Sequence, residues 1–78
     1  MPYDSILMGS IIAATRKRRG LSQETLSGLA GTPRSHLAAI EAGNVKAGIE
    51  TLWKIADALG VPLSELIRLS EEELLNRQ

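Results

Sequence analysis

Apolar residues recur along this chain at steps of three and four residues, which is the spacing of one face of an α-helix. One such segment spans about 8–19, with Ser5 as an earlier alternative start, and another spans about 49–59. Glycines separate the segments, and they end helices readily because they adopt a left-handed backbone without steric cost. In order, they are Gly20, Gly31, Gly43, Gly48 and Gly60. The pattern therefore predicts an all-α fold built from short helices.

Capping residues predict the second and third helices. Ser22 is a natural N-cap, because its hydroxyl can accept a hydrogen bond from a backbone N–H of the first turn. Thr32 is expected to cap the third helix, with Pro33 at the first helical position, where proline is favoured. Gly28, inside the second helix, indicates either a close approach to another helix or no structural role. The residues expected to face inward are Leu26, Leu29, Ala30, Leu37 and Ile40.

The fifth predicted helix begins after Ser64 and carries a run of apolar residues. Ser70 stands three residues before Glu73, which is the spacing of a capping box. The C-terminal turn is therefore expected either to continue the fifth helix or to start a sixth.

Composition supports one small helical domain over 1–78. Leu and Ala, both strong helix formers, account for 12 and 9 residues. Because the chain has no Cys and His36 is its one histidine, we expect no disulfide, no metal and no cofactor. It also lacks a nucleophile–base pair and a phosphate-binding glycine loop, so we do not expect an enzyme. Its longest uncharged apolar-leaning stretch, 5–15, is too short to cross a bilayer, and we expect a cytoplasmic protein.

The formal net charge of zero hides an uneven distribution. Residues 1–54 hold seven cations and four anions, a balance of +3, whereas residues 55–78 hold two cations and five anions, a balance of −3. This asymmetry predicts that the first part of the chain meets a polyanion and the second part does not.

The segment 22–43 has the composition of a helix-turn-helix. Gly31 can supply the positive φ that the tight turn needs, and Ser27 is a small residue at the point where the two helices cross. Over residues 9–66 the chain resembles the lambda-repressor/Cro-like (Xre-type) helix-turn-helix family. The residues that carry the resemblance are Gly9, Ile12, Arg16, Gly20-Leu21-Ser22-Gln23-Glu24, Leu26, Gly31, Arg34-Ser35, Ile40-Glu41, Gly43, Ile49-Glu50-Thr51-Leu52, Ile55-Ala56 and Ala58-Leu59-Gly60-Val61-Pro62.

The resemblance implies a compact five-helix DNA-binding domain whose third helix enters the major groove. It also implies an ion pair between Arg16 and Glu41 that ties the first helix to the third. The chain departs from the family pattern at Ser27, where alanine is usual. It departs again at Ala39 and Ala42, where the family often has long polar residues, and this reduces polar readout late in the third helix.

Two sets of residues are predicted to contact double-stranded DNA. For base readout, Arg34 is the best candidate, because a guanidinium can bind guanine O6 and N7 together. Ser35 can bond a base edge or a phosphate, and Ala39 either meets a thymine methyl or only fills the helix. The residues predicted to contact phosphate are Ser22, Gln23, His36, Lys46 and Lys17, of which Lys17 is alternatively only a solvated charge.

The acidic half holds more apolar residues than a core of this size should need, which predicts a homodimer through residues 62–78. Trp53 is expected in the core or at the dimer interface. A dimer would place two recognition helices about one DNA turn apart on an inverted-repeat operator. The predicted interface residues are Leu63, Leu66, Ile67, Leu69 and Leu74.

The resemblance therefore implies a DNA-binding transcriptional regulator, similar to a restriction–modification controller protein or a small phage-type repressor. Such a protein would be bacterial or phage-encoded and associated with the nucleoid. The alternative is an antitoxin or a protein-interaction module that keeps the fold and contacts a protein partner through residues 68–78.

Overall fold

Five α-helices and no strand form in the part of the chain that the computed structural model describes, residues 3–77. This confirms the predicted all-α, five-helix fold. The helices are α1 (Ser5–Arg18), α2 (Gln23–Ala30), α3 (Arg34–Glu41), α4 (Ile49–Leu59) and α5 (Leu63–Asn76).

Helix α1 begins at Ser5, the earlier of the two predicted starts. Asp4 is the N-cap, and its side-chain oxygen accepts a hydrogen bond from the Leu7 N–H at 3.0 Å. The cap satisfies a donor that would otherwise lack an intrahelical partner, so the helix extends three residues before Met8.

Prolines stand at the N-caps of α3 and α5. Pro33 caps α3 with φ −55° and ψ 141°, so the prediction that Thr32 is the N-cap was wrong by one residue. Pro62 caps α5 with φ −69° and ψ 149°, and Ser64 lies inside the helix, so the prediction that the fifth helix begins after Ser64 was wrong by two residues. In both places the proline ring fixes φ at a value from which a helix can start without a side-chain cap.

Helix α5 is continuous through the predicted capping box at Ser70. Ion pairs four residues apart span this region, from Arg68 to Glu72 and from Arg77 to Glu73. Such pairs support a helix that is already formed, and the C-terminal turn continues the fifth helix instead of starting a sixth.

The helices enclose one apolar core in a cyclic arrangement: α3 packs mainly on α1 and α2, α4 on α2 and α5, and α5 on α1. Leu29 is 63% exposed, so its predicted place in the core was wrong, because α2 turns Leu26, Ser27 and Ala30 inward. The core residues are Met8, Ile12, Leu26, Ala30, Leu37, Ile40, Leu52, Ile55, Ala56, Leu59 and Leu66.

The structure corrects the predicted place of Leu66 and decides between the two predicted places of Trp53. Leu66 is 0% exposed within the core, so it cannot form part of a dimer interface on the surface of this chain. Trp53 is 65% exposed, which excludes the predicted core position and leaves the surface alternative.

Two glycines differ in the space around them. A Cβ on Gly9 would lie 2.2 Å from the Ile40 carbonyl oxygen and 2.7 Å from the Glu41 carbonyl oxygen, so only glycine lets α1 approach α3 this closely. A Cβ on Gly28 would meet nothing within 4 Å, which excludes a close helix approach there.

Candidate nucleic-acid interface

Helices α2 and α3 meet at a tight turn built on Gly31. Its φ of +66° lies in the left-handed region, which favours glycine. The Thr32 N–H donates to the Ser27 carbonyl at 3.0 Å, which closes the end of α2. Thr32 itself is buried, so the turn holds α3 at a fixed angle to α2.

Helix α3 exposes its first turn and buries its opposite face. Arg34, Ser35 and His36 are exposed, whereas Leu37 and Ile40 are buried in the core. No ion pair within residues 3–77 involves Arg34. The first turn therefore presents a guanidinium and a hydroxyl to an external partner.

The later part of α3 offers few polar groups to a partner. Ala38 and Ala39 are half-buried, and their methyl groups offer only van der Waals contact. Ala39 therefore stays a weaker candidate for base contact than Arg34.

A buried polar cluster joins the first three helices. Arg16 donates from Nε to Glu41 Oε2 at 2.8 Å and from Nη2 to Oε1 at 3.0 Å, which is a bidentate pair. The Arg16 Nη1 group donates to the Leu21 carbonyl at 2.9 Å, and Gln23 Nε2 donates to Glu41 Oε1 at 3.0 Å. The ion pair that the family resemblance implies is thus part of a larger network than one pair.

The cluster fixes α3 against α1 and the start of α2. The Arg16 and Glu41 side chains are only 11% and 5% exposed, and within residues 3–77 no buried side-chain nitrogen or oxygen lacks a hydrogen-bond partner. Hydrogen bonding to Glu41 raises the pKa of Arg16 above its ordinary value, so the guanidinium keeps its charge. A fully satisfied buried network of this kind is rigid.

The contact between Gln23 and Glu41 was not predicted. The sequence placed Gln23 only at the DNA phosphates, and its position at the start of α2 gives no signal for a partner 18 residues away. One N–H of the Gln23 side-chain amide donates to Glu41, and the amide has a second N–H that can donate to another acceptor.

The start of α2 offers backbone donors beside this cluster. Ser22 Oγ accepts from the Thr25 N–H at 3.0 Å and donates to Thr25 Oγ1 at 2.9 Å, so its hydroxyl serves mainly as the helix cap. The first backbone N–H groups of a helix lack intrahelical acceptors and carry partial positive charge. The start of α2 is therefore suited to an anion such as a phosphate.

The two lysines predicted to contact phosphate lie at different places. Lys46 is exposed in the loop after α3, two residues after Asn44, which is also exposed and which the sequence analysis did not single out. Its signal would have been a polar residue directly after Gly43. Lys17 is exposed in the last turn of α1, and no hydrogen bond or ion pair within residues 3–77 joins its side chain to the helix-turn-helix.

Comparison with known proteins agrees with this geometry. The model of the helix-turn-helix family HTH_3 matches residues 12–66, which is more than half of the chain. The chain belongs to this family. Its members are DNA-binding regulators without enzymatic activity, which confirms the family, the fold and the general function that the sequence predicted.

Similar proteins come from bacteria and from a phage. An uncharacterized HTH-type transcriptional regulator, y4dJ of Sinorhizobium fredii, is 35% identical over 85% of this chain and 86% of its own length. The immunity repressor protein of Bacillus phage phi105 is 37% identical over 91% of this chain, which spans about half of that relative's length (48%). The crystal structure of the restriction–modification controller protein C.AhdI of Aeromonas hydrophila superposes with a TM-score of 0.79 at 35% identity, covering 81% of this chain and 96% of that one.

Charge pairing differs along the chain of this family member. On α4 and α5, cations are held by acidic neighbours on their own helix: Lys54 by Glu50 at 3.5 Å and Arg77 by Glu73 at 3.6 Å. Within residues 3–77 the cations without an ion-pair partner lie at the end of α1 (Lys17, Arg18 and Arg19), on the first turn of α3 (Arg34) and in the loop after α3 (Lys46). The unpaired positive charge of the neutral chain therefore lies before α4.

Two other features are absent from residues 3–77. No group of three or more histidine, cysteine or acidic side chains there lies close enough to hold a metal ion. None of the helices within residues 3–77 combines the length and the apolar character that crossing a bilayer requires.

Proposed function

We propose that the chain is a transcriptional regulator that binds double-stranded DNA with the first turn of α3 in the major groove. The observation that carries this proposal is the exposed Arg34, which has no ion-pair partner within residues 3–77, on a helix that the buried Arg16–Glu41–Gln23 cluster fixes in place. A reading side chain discriminates between bases only when its helix is held rigidly.

Base readout rests mainly on Arg34 and Ser35. Arg34 binds guanine O6 and N7 in bidentate fashion, and Ser35 bonds a neighbouring base edge or phosphate. Ala39 contacts a thymine methyl group where a base pair lies within van der Waals distance of its side chain.

Phosphate contacts position the domain on the duplex. The backbone N–H groups at the start of α2 and the second amide hydrogen of Gln23 bind one phosphate. Ser22 contributes chiefly by capping α2. Contacts to the phosphates on either side of this one come from Lys46, His36 and Lys17. The basic groups among them make the affinity depend on salt.

The protein acts as a homodimer on an inverted-repeat operator, with α5 within the dimerisation segment 62–78. Leu63, Leu69 and Leu74 are half-buried and Ile67 is exposed, which supports these residues as interface members once Leu66 is removed from the set. A twofold axis through this segment would place two α3 helices on successive major grooves.

The decisive experiment selects bound sequences from a random DNA pool and then measures affinity for the selected site. We expect Arg34→Ala to lose 1–3 kcal/mol of discrimination, roughly 5- to 150-fold, at one base pair in each half-site. Lys54→Ala is the matched control, because Lys54 is paired with Glu50 on α4, outside both the helix-turn-helix and the segment 62–78, and it should bind as the wild type does. Recovery of no preferred sequence would contradict the proposal.

The salt dependence of the same complex tests the phosphate contacts. Each neutralised phosphate contributes a slope of about −0.9 to the plot of log affinity against log salt. Lys46→Ala should therefore reduce the slope by about 0.9 for each subunit while leaving the preferred sequence unchanged. An affinity that does not change with salt would contradict these roles.

A second candidate is a protein-interaction module or antitoxin acting through residues 68–78. The observation that favours it is Leu75, which is 55% exposed near the end of α5. The site-selection experiment separates the two functions, because a protein-interaction module would recover no preferred DNA.

A further inference from the structure

A recess of about 270 Å³ lies between the start of α1, the start of α4 and the middle turns of α5. Its floor is apolar, because Met8 and Leu52 line it and are buried in the core. Pockets for drug-sized ligands usually measure about 300–1,000 Å³, so this recess suits a smaller molecule with an apolar part.

The charged side chains that line the recess within residues 3–77 are both carboxylates. They are Asp4, half-buried at the N-cap of α1, and Glu71, exposed on α5. Neither has an ion-pair partner within residues 3–77. A second recess between α1 and α5 differs, because Arg18, Glu73 and Arg77 mix both signs of charge there. The first recess therefore combines apolar walls with a negative potential, which complements a cation and repels an anion.

Tyr3 adds an aromatic ring to the wall of this recess. Burial and the neighbouring Asp4 charge raise the pKa of Tyr3, so its phenol stays neutral at physiological pH. The face of such a ring attracts cations through its quadrupole. Asp4 uses Oδ1 to accept the hydrogen bond from the Leu7 N–H, and a carboxylate has a second oxygen that can face a ligand.

We propose that this recess binds a small lipophilic cation of the quaternary ammonium class. The ammonium group lies beside the Tyr3 ring and the carboxylates of Asp4 and Glu71. The apolar part of the ligand packs on Met8 and Leu52. A quaternary ammonium ion fits these walls better than a primary amine, because it has no N–H group that needs an acceptor and its methyl groups match the apolar floor.

The recess shares two side chains, Ile67 and Leu74, with the proposed dimer interface. A cation seated against them competes with a second copy of the chain, so by linkage it favours the monomer. The ligand thus weakens operator binding by way of dimerisation, without contact to α3. This consequence rests on the proposed function, whereas binding of the cation to the recess does not.

An NMR titration of the isotope-labelled full chain with benzyltrimethylammonium, at constant ionic strength, tests the site. We expect a Kd of about 1 mM, the scale for a ligand of this size, with the largest shifts at the amides of Asp4, Ser70 and Glu71. The neutral analogue dimethylbenzylcarbinol has nearly the same shape and should bind about tenfold more weakly. Equal affinities for the two molecules would overturn the proposal.

A pair of double variants locates the cation. Asp4→Asn/Glu71→Gln removes both charges and keeps a side-chain oxygen at the α1 cap, so it should raise the Kd at least about tenfold with an unchanged circular dichroism spectrum. Glu24→Gln/Asp57→Asn is the matched control, because it changes the net charge equally at two exposed carboxylates outside the recess, and it should leave the Kd unchanged. Equal Kd values for the two double variants would refute the site.

Sedimentation velocity measures the competition with the second copy. Benzyltrimethylammonium at ten times its Kd should raise the dimer Kd of the wild type at least about tenfold and that of Asp4→Asn/Glu71→Gln much less. A dimer Kd that does not change although the cation is bound would place the cation away from Ile67 and Leu74 and overturn the assignment. A chain that forms no dimer, or that recovers no preferred DNA, would instead contradict the proposed function, and the titration decides the recess independently.

Discussion

Replacing Gly9 with alanine tests the close approach of α1 to α3, on which the position of α3, the helix proposed to enter the major groove, depends. The new Cβ would lie 2.2 Å from the Ile40 carbonyl oxygen and 2.9 Å from the Glu41 carbonyl carbon, whereas ordinary contacts begin at 3.4 Å. These are backbone atoms of α3 and cannot rotate away. Helix α3 must therefore withdraw from α1 by about 1 Å.

The size of the effect follows from two opposing contributions. Overpacking of this kind lowers the free energy of unfolding by about 3 kcal/mol, and the higher helix propensity of alanine offsets about 1 kcal/mol of that loss. We expect a net destabilisation of about 2 kcal/mol, which lowers the Tm of a domain this small by roughly 10 °C. Gly28→Ala is the matched control, because its Cβ meets nothing within 4 Å, and it should gain about 1 kcal/mol.

Urea denaturation followed by circular dichroism, with all three proteins at the same concentration, measures these differences. The two alanine variants should differ from each other by about 3 kcal/mol in free energy of unfolding. A Gly9→Ala protein as stable as Gly28→Ala would show that α1 and α3 do not approach each other as the structure has them.

Three further substitutions have expected outcomes by the same measurement. Glu41→Ala should lower the free energy of unfolding by about 3–5 kcal/mol, because it leaves the buried Arg16 charge without a partner. The double variant Arg16→Met/Glu41→Leu should recover most of this loss. A Glu41→Ala protein as stable as the wild type would contradict the buried pair. Leu66→Ala should lower the free energy of unfolding by about 2–5 kcal/mol, because it leaves a cavity in the core, whereas Leu75→Ala should change it by less than about 0.5 kcal/mol. Similar values for the two variants would place Leu66 on the surface. Asp4→Ala should cost about 1 kcal/mol through loss of the α1 cap, and no loss would show that the first turn does not depend on it.

Adjacent residues on α5 show why the proposed dimer surface was only partly predictable from the sequence. The sequence showed that the last helix holds surplus apolar residues, and it gave Leu66 and Ile67 the same role. In the structure Leu66 is 0% exposed in the core and Ile67 is 38% exposed. The direction in which a helix faces its neighbours separates them, and that direction is a property of packing rather than of composition.

The sequence alone determined the local features of this protein, while the tertiary structure decided which side chains meet. Apolar periodicity and the glycine breaks predicted the helices and the tight turn at Gly31, because helix formation and positive φ depend on neighbouring residues. The bond from Gln23 to Glu41 joins residues 18 apart, and the exposure of Trp53 depends on how α4 sits against α5. Such contacts form only when helices distant in the chain pack together, so no local sequence pattern predicts them.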